Sequence, residues 1–128
     1  MIIRARLGQS SARLAVLDAY GDQCAVTTEQ PSARIDAAHI RPFASGGLHE
    51  IPNGVPLRRD LHLPFDLGYV TIRPDLRVAV SRRPREEYAN GRVYYELDGR
   101  AIQLPSDPGA QPDRELLAWH EAEVFKAR

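Results

Sequence analysis

A single cysteine, Cys24, in 128 residues excludes an internal disulfide and leaves no thiol pair of the kind on which structural zinc sites are built. Charge of one sign is also lacking, since seventeen Lys and Arg balance seventeen Asp and Glu. A chain without net positive charge does not hold polyanions by bulk attraction. Its basic side chains must be gathered on one face, or another module must supply the affinity. No apolar run approaches the ~20 residues of a membrane-spanning helix. The opening MIIRARLGQ lacks the apolar core of a signal peptide, so the expected location is cytoplasmic. Repeats and low-complexity segments are absent, and the length suits one domain with one modest core.

What is present is concentrated. Three of the four histidines lie between Asp36 and Asp66, in DAAHIRPFASGGLHEIPNGVPLRRDLHLPFD. Arg34 to Ile40 reads as a strand, Phe43 to Pro52 as a loop bent at Gly46-Gly47, and Val55 to Leu57 as the return strand after Asn53-Gly54. Asp60 is suited to cap a short helix with Pro64 in its first turn and Gly68 closing it. On that helix His62 and Asp66 stand four residues apart and share a face, so an imidazole and a carboxylate can converge on one divalent cation.

The order His39, Asn53, His62 resembles the His-Asn-His (HNH) nuclease motif, with AHI-x-P, Gly-Gly, N-G-x-x-L, D-L-H and F-D in sequence within 31 residues. Outside it, LGQSSARLAVLDAYGDQCAVT, GYVTI, VSRR and LAWHEAEVF resemble the HNH branch of modification-dependent restriction enzymes, often found behind an SRA-type modified-base reader. The resemblance implies an α+β fold. One HNH nuclease domain would span 1–128, its ββα-metal core at about 34–68, with flanking helices and additional antiparallel β-hairpins. It implies a metal-dependent endonuclease acting on double-stranded DNA and leaving 3′-hydroxyl and 5′-phosphate ends, with no membrane partner. An N-terminal reader domain or a separate targeting module would choose the target, and a homodimer is compatible with it.

Hydrolysing a phosphodiester needs a base for water, a cation for the scissile phosphate and help for the departing oxygen. His39 is the expected base, because an imidazole near its reference pKa of ~6.5 is substantially neutral at physiological pH. Asn53 carries over as the residue that orients the base and braces the hairpin, although an Asn-Gly turn needs no further reason. His62 and Asp66 are the expected metal ligands. Many HNH nucleases place a ligand just before the base, where this chain has Ala38. Asp36, two residues earlier on the same strand face, is either the substitute or a solvated strand carboxylate. An oxygen-rich, partly open site suits Mg2+ or Mn2+, and the imidazoles admit Ni2+, Co2+ or Zn2+. Arg41, Arg58 and Arg59 flank the site and are candidate DNA contacts. Arg82, Arg83 and Arg85 form a second basic cluster. His49 is expected at the solvent or on DNA, and His120 is expected to be structural.

The remaining chain predicts a first helix from Ser10 or Ser11 with Leu14, Val16, Leu17 and Tyr20 inward, and a β-leaning Cys24 to Thr28. The family's glycine is replaced by Thr28. Hairpins are expected at Tyr69 to Ser81 and around Asp98-Gly99, followed by a last helix capped by Asp113. A second functional reading competes: a catalytically impaired HNH-fold module for DNA binding or interaction, with Ala38 as the scar.

Overall fold

The computed structural model describes residues 9–28, 35–82 and 95–127. Their regular elements are α1 (Gln9–Ala19), β1 (Ile35–His39), β2 (Gly54–Arg58), α2 (Arg59–Leu67), β3 (Val70–Ile72), β4 (Val78–Val80) and α3 (Arg114–Glu123). The architecture is mixed α+β, with two separate two-stranded antiparallel sheets, β1–β2 and β3–β4.

β1 and β2 form a hairpin in which Ile35 faces Arg58 and His39 faces Gly54. The chain passes from Arg58 directly into α2, laying one helix beside the hairpin it continues. Leu61 and Phe65, four residues apart on α2, are fully buried and join Ile35, Val55 and Leu57 in the core. Each such side chain contributes about 1.5–3 kcal/mol by leaving water. Because Leu61 and Phe65 fix the helix's rotation, the adjoining residues His62 and Asp66 lie at the edge of the hairpin.

On the other flank, α1 buries Ala12, Val16, Leu17 and Tyr20. Leu14, expected on that face, is instead exposed at 64%. α1 packs so closely that a methyl group added at Gly54 would overlap the Val16 side chain. Gly54 has an ordinary extended φ of −123°, so close approach rather than backbone freedom demands glycine here. Gly54→Ala is expected to destabilise the protein by about 1–3 kcal/mol in urea titration. Val16→Ala in the same chain should recover part of that loss.

α3 closes the core through Leu117 and His120. His120 stacks on Phe65 with ring centroids 3.9 Å apart, and its Nε2 lies 3.0 Å from the Phe65 carbonyl oxygen. A carbonyl only accepts, so Nε2 carries the proton. Nδ1 then accepts from the Thr71 hydroxyl at 2.7 Å. Burial pushes this imidazole from 6.5 down to about 4. The unfolded chain therefore takes up the proton first, and stability falls as pH drops through 6.5 towards 4. The expected loss is about 1 kcal/mol between pH 6 and pH 5. Urea titrations at the two pH values should show it, and His120→Gln should flatten the step. His62, described below, titrates in the opposite sense at higher pH, so its window leaves this one clear.

Several expectations from local pattern give way to tertiary context. Asp60 lies inside the first turn of α2 rather than at its N-cap, and its carboxylate binds the Arg58 guanidinium. That bond holds the Asp60 carboxyl below its usual range. Pro64 falls in the interior of the helix, where it removes the bond to the carbonyl four residues back. Gly68 does close the helix, with a φ of 87°. Cys24 to Thr28 is a run of turns, with Ala25 bonded through its N–H to Pro56. Thr28 has a φ of 61°, so the backbone keeps a glycine-like conformation despite a β-branched side chain.

The β3–β4 hairpin forms as expected, but the hairpin expected around Asp98-Gly99 does not form among the described residues. The turn there docks on β4 instead. Asp98 Oδ1 accepts from the Val80 amide at 2.9 Å, Gly99 donates to Val78, and Ala101 makes a lone bridge with Arg77. Val93 and Tyr94, like Glu29 to Arg34 and the cluster residues Arg83 and Arg85, lie outside the described residues.

Candidate active site

The ββα element brings Asp36 of β1 to His62 of α2. Asp36 Oδ2 lies 3.0 Å from His62 Nδ1, and Asp66 Oδ2 lies 3.2 Å from His62 Nε2. The imidazole thus stands between two carboxylates, one across the hairpin-helix junction and one a helical turn away. The Asp66 hydrogen bond, against the effect of burial and with help from Asp36, raises His62 from 6.5 to about 9. In that charged form both ring nitrogens donate. Asp36 also lies 3.7 Å from the Arg59 guanidinium.

His39 ends β1, opposite Gly54, and its ring lines a cleft of about 310 Å3 together with Arg13 and Val16 of α1, Ala38, Glu50 and His62. Burial, and secondarily the neighbouring His49, lowers His39 below 6.5 and keeps it neutral near pH 7. Its Nε2 lies 3.0 Å from Nδ1 of His49. His49, expected at the solvent or on DNA, is half-buried, meeting His39 edge-on and stacking on Phe43. Residue spacing alone gives no signal for this contact, because the ten-residue separation is spanned by an irregular loop. Arg13 and Glu50 were also missed, the first because it belongs to a helix read only as core support.

Asn53 is 1% exposed and acts on that loop. Its Oδ1 accepts from the Arg41 amide at 2.9 Å, and its Nδ2 donates to the carbonyls of Arg41 at 3.0 Å and Leu48 at 2.8 Å. Its own carbonyl accepts from Ile40 N–H, the residue after His39. Asn53 therefore braces both ends of the loop through backbone groups, and no hydrogen bond joins its amide to the His39 ring among the described residues. Gly47 allows the loop to close, since a Cβ there would overlap the Arg41 carbonyl.

The three flanking arginines are not equivalent. Arg41 donates to Ser45 O at 2.6 Å and lies over the Trp119 ring at 4.9 Å. Arg58 is paired with Asp60. Arg59, with 73% of its side chain exposed, faces solvent beside Asp36 and is the most available to a phosphate.

Metal binding can be tested against the donor set. Asp36, His62 and Asp66 offer two carboxylates and an imidazole, all partly open to solvent, a donor chemistry that fits a hard divalent cation completed by water and phosphate. Among the described residues, no group of three or more His, Cys, Asp or Glu is already disposed as a cation cage. The imidazole between the carboxylates must lose its second proton before a nitrogen can ligate.

No curated protein sequence matches the chain. Among solved structures it is similar to a modification-dependent TagI restriction endonuclease, with a TM-score of 0.68 and 20% sequence identity. The match covers 92% of this chain and 39% of that one, so the chain spans about two-fifths of the neighbour's length. At that identity the likeness shows a shared fold. The profile described as HNH endonuclease matches residues 24–73, which contain β1, the braced loop, β2, α2 and β3. Over residues 24–73, which are fewer than half of its residues, the chain is similar to the HNH endonuclease family.

Proposed function

We propose that this protein is a metal-dependent DNA endonuclease, the cleavage module of a modification-dependent restriction system. The observation that carries this reading is the meeting, at one cleft, of a neutral imidazole on β1 with an imidazole held between two carboxylates. Such a pair offers a proton acceptor beside a cation-binding group. HNH endonucleases generally use a divalent metal. Asp36, His62 and Asp66 would hold it, and when bound it would polarise the scissile phosphate and stabilise the departing oxygen.

His39 acts as general base. Nδ1 has no hydrogen-bond partner among the described residues, so in the tautomer protonated on Nε2 its lone pair is available to a water in the cleft. As that proton moves to His39, the water oxygen attacks phosphorus and the bond to the leaving oxygen breaks. Arg59 offers its exposed guanidinium to a neighbouring phosphate. Arg41 and Arg58, each engaged within the protein, contribute to DNA binding only where DNA displaces those partners. Target choice lies outside this domain, in keeping with a balanced charge and with a neighbour more than twice its length.

Ala38 favours a second reading, a non-catalytic DNA-binding module, because it is buried at a strand position where a ligand would otherwise stand. Cleavage separates the two. Supercoiled plasmid, with and without modified bases, should be nicked or linearised when Mg2+ or Mn2+ is added and spared when EDTA is present. A folded protein in molar excess that leaves both plasmids intact with Mg2+, Mn2+, Ni2+, Co2+ and Zn2+ would establish the non-catalytic reading instead.

A further inference from the structure

We propose that His49 is a positioning residue for His39: its Nδ1 accepts a hydrogen bond from Nε2–H of His39, which leaves Nδ1 of His39 as the nitrogen that takes the proton from water. This rests on the reading of His39 as the base. Two imidazole nitrogens 3.0 Å apart hydrogen-bond only if one of them carries a hydrogen. Were the proton on His49, a neutral His39 would carry its own hydrogen on Nδ1, and its open nitrogen would be a donor unable to deprotonate water. The productive tautomer therefore requires His39 to donate and His49 to accept, with the remaining proton of His49 on its Nε2. When water gives its proton to Nδ1, hydroxide and a His39 imidazolium result. The Nε2–H bond to the neutral His49 ring strengthens as that charge appears.

The loop is built to hold the acceptor still. Phe43 lies parallel to the His49 ring at 5.3 Å with an interplanar angle of 2°. Leu48, the residue before it, has its carbonyl bound by the buried Asn53 amide. Gly47, one residue earlier, packs against the Arg41 backbone where no side chain fits. Asn53 thus orients the base indirectly, through the loop that presents His49.

Two substitutions separate acceptor from bulk. Asparagine places Oδ1 near the position of the imidazole Nδ1, whereas leucine keeps an apolar group against Phe43 and accepts nothing. In single-turnover plasmid cleavage, His49→Leu should be about 10- to 100-fold slower than wild type, by analogy with loss of the partner that orients a metal-ligating histidine. His49→Asn should remain within a few-fold of wild type, with divalent-metal affinity unchanged in both. A His49→Leu enzyme as fast as wild type, or an Asn variant no faster than Leu, overturns the proposal while leaving the nuclease reading intact. Wild type that fails to cut under any metal overturns both. A readout independent of cleavage is 15N–1H correlation of the imidazoles in the native protein. His39 protonated on Nε2 is the expected tautomer, and protonation on Nδ1 overturns the proposal.

Discussion

His39→Ala is expected to slow DNA cleavage by about 10² to 10⁴-fold, the range usual for loss of a positioned general base. The fold should survive, since His39 is only partly buried at the end of β1 and its backbone pairs with Gly54 whatever its side chain. Metal affinity should also survive, because Asp36 and Asp66 each contact His62 and neither contact runs through His39. The variant is therefore read in two measurements together, single-turnover cleavage and calorimetric titration with Mn2+. Cleavage at the wild-type rate would remove His39 from the chemistry. A large fall in metal affinity would make it a ligand rather than a base.

The second large effect concerns stability. Asn53→Ala removes three hydrogen bonds at a buried point and leaves the Arg41 amide and the carbonyls of Arg41 and Leu48 without their partner. At roughly 1–3 kcal/mol for each stranded buried group, partly relieved by water, a loss of about 3 kcal/mol or more is expected. Asn53→Asp is the sharper variant. It keeps the shape and the acceptor for Arg41 N–H but points an oxygen at two carbonyl oxygens. At pH 7 it should be at least as damaging as alanine, and it should improve as acid protonates the new carboxyl. If aspartate is tolerated at neutral pH, the two hydrogen bonds from Nδ2 to the carbonyls of Arg41 and Leu48 are not what holds the loop. Cleavage should fall in both variants, because the loop that carries His49 loosens.

Where the sequence was legible, the determining geometry was local. The pairing of His62 with Asp66 follows from helical spacing; Asp36, left open by the sequence, reaches His62 because the hairpin runs straight into its helix. The first and last helices were visible in their apolar period and in Asp113, whose side chain accepts from the Glu115 amide as an N-cap should. What could not be read depended on contacts distant in sequence. Asp98-Gly99 is a strong hairpin signal only if its flanks pair with each other; here β4 offers them an edge first. Pro64 reads as a first-turn residue because Asp60 resembles a cap, but Arg58 takes that carboxylate and the helix begins two residues earlier. His49 met His39 because a buried amide elsewhere folds the loop, and no spacing within the loop encodes that.

The packing of α1 and α3 bears on how such a domain is inherited. Residues 24–73 carry the recognisable motif, yet Val16, Leu17 and Tyr20 on one side and Leu117 and His120 on the other are among the buried residues that surround it. Cut out alone, the motif would expose the apolar underside of its hairpin and free the Phe65 carbonyl and the Thr71 hydroxyl of the imidazole that binds both. A segment transferable with its fold must therefore include the two outer helices along with the hairpin and α2. The portable unit is larger than the signature by which it is recognised, and boundaries drawn at the signature would separate the chemistry from the scaffold that gives it shape.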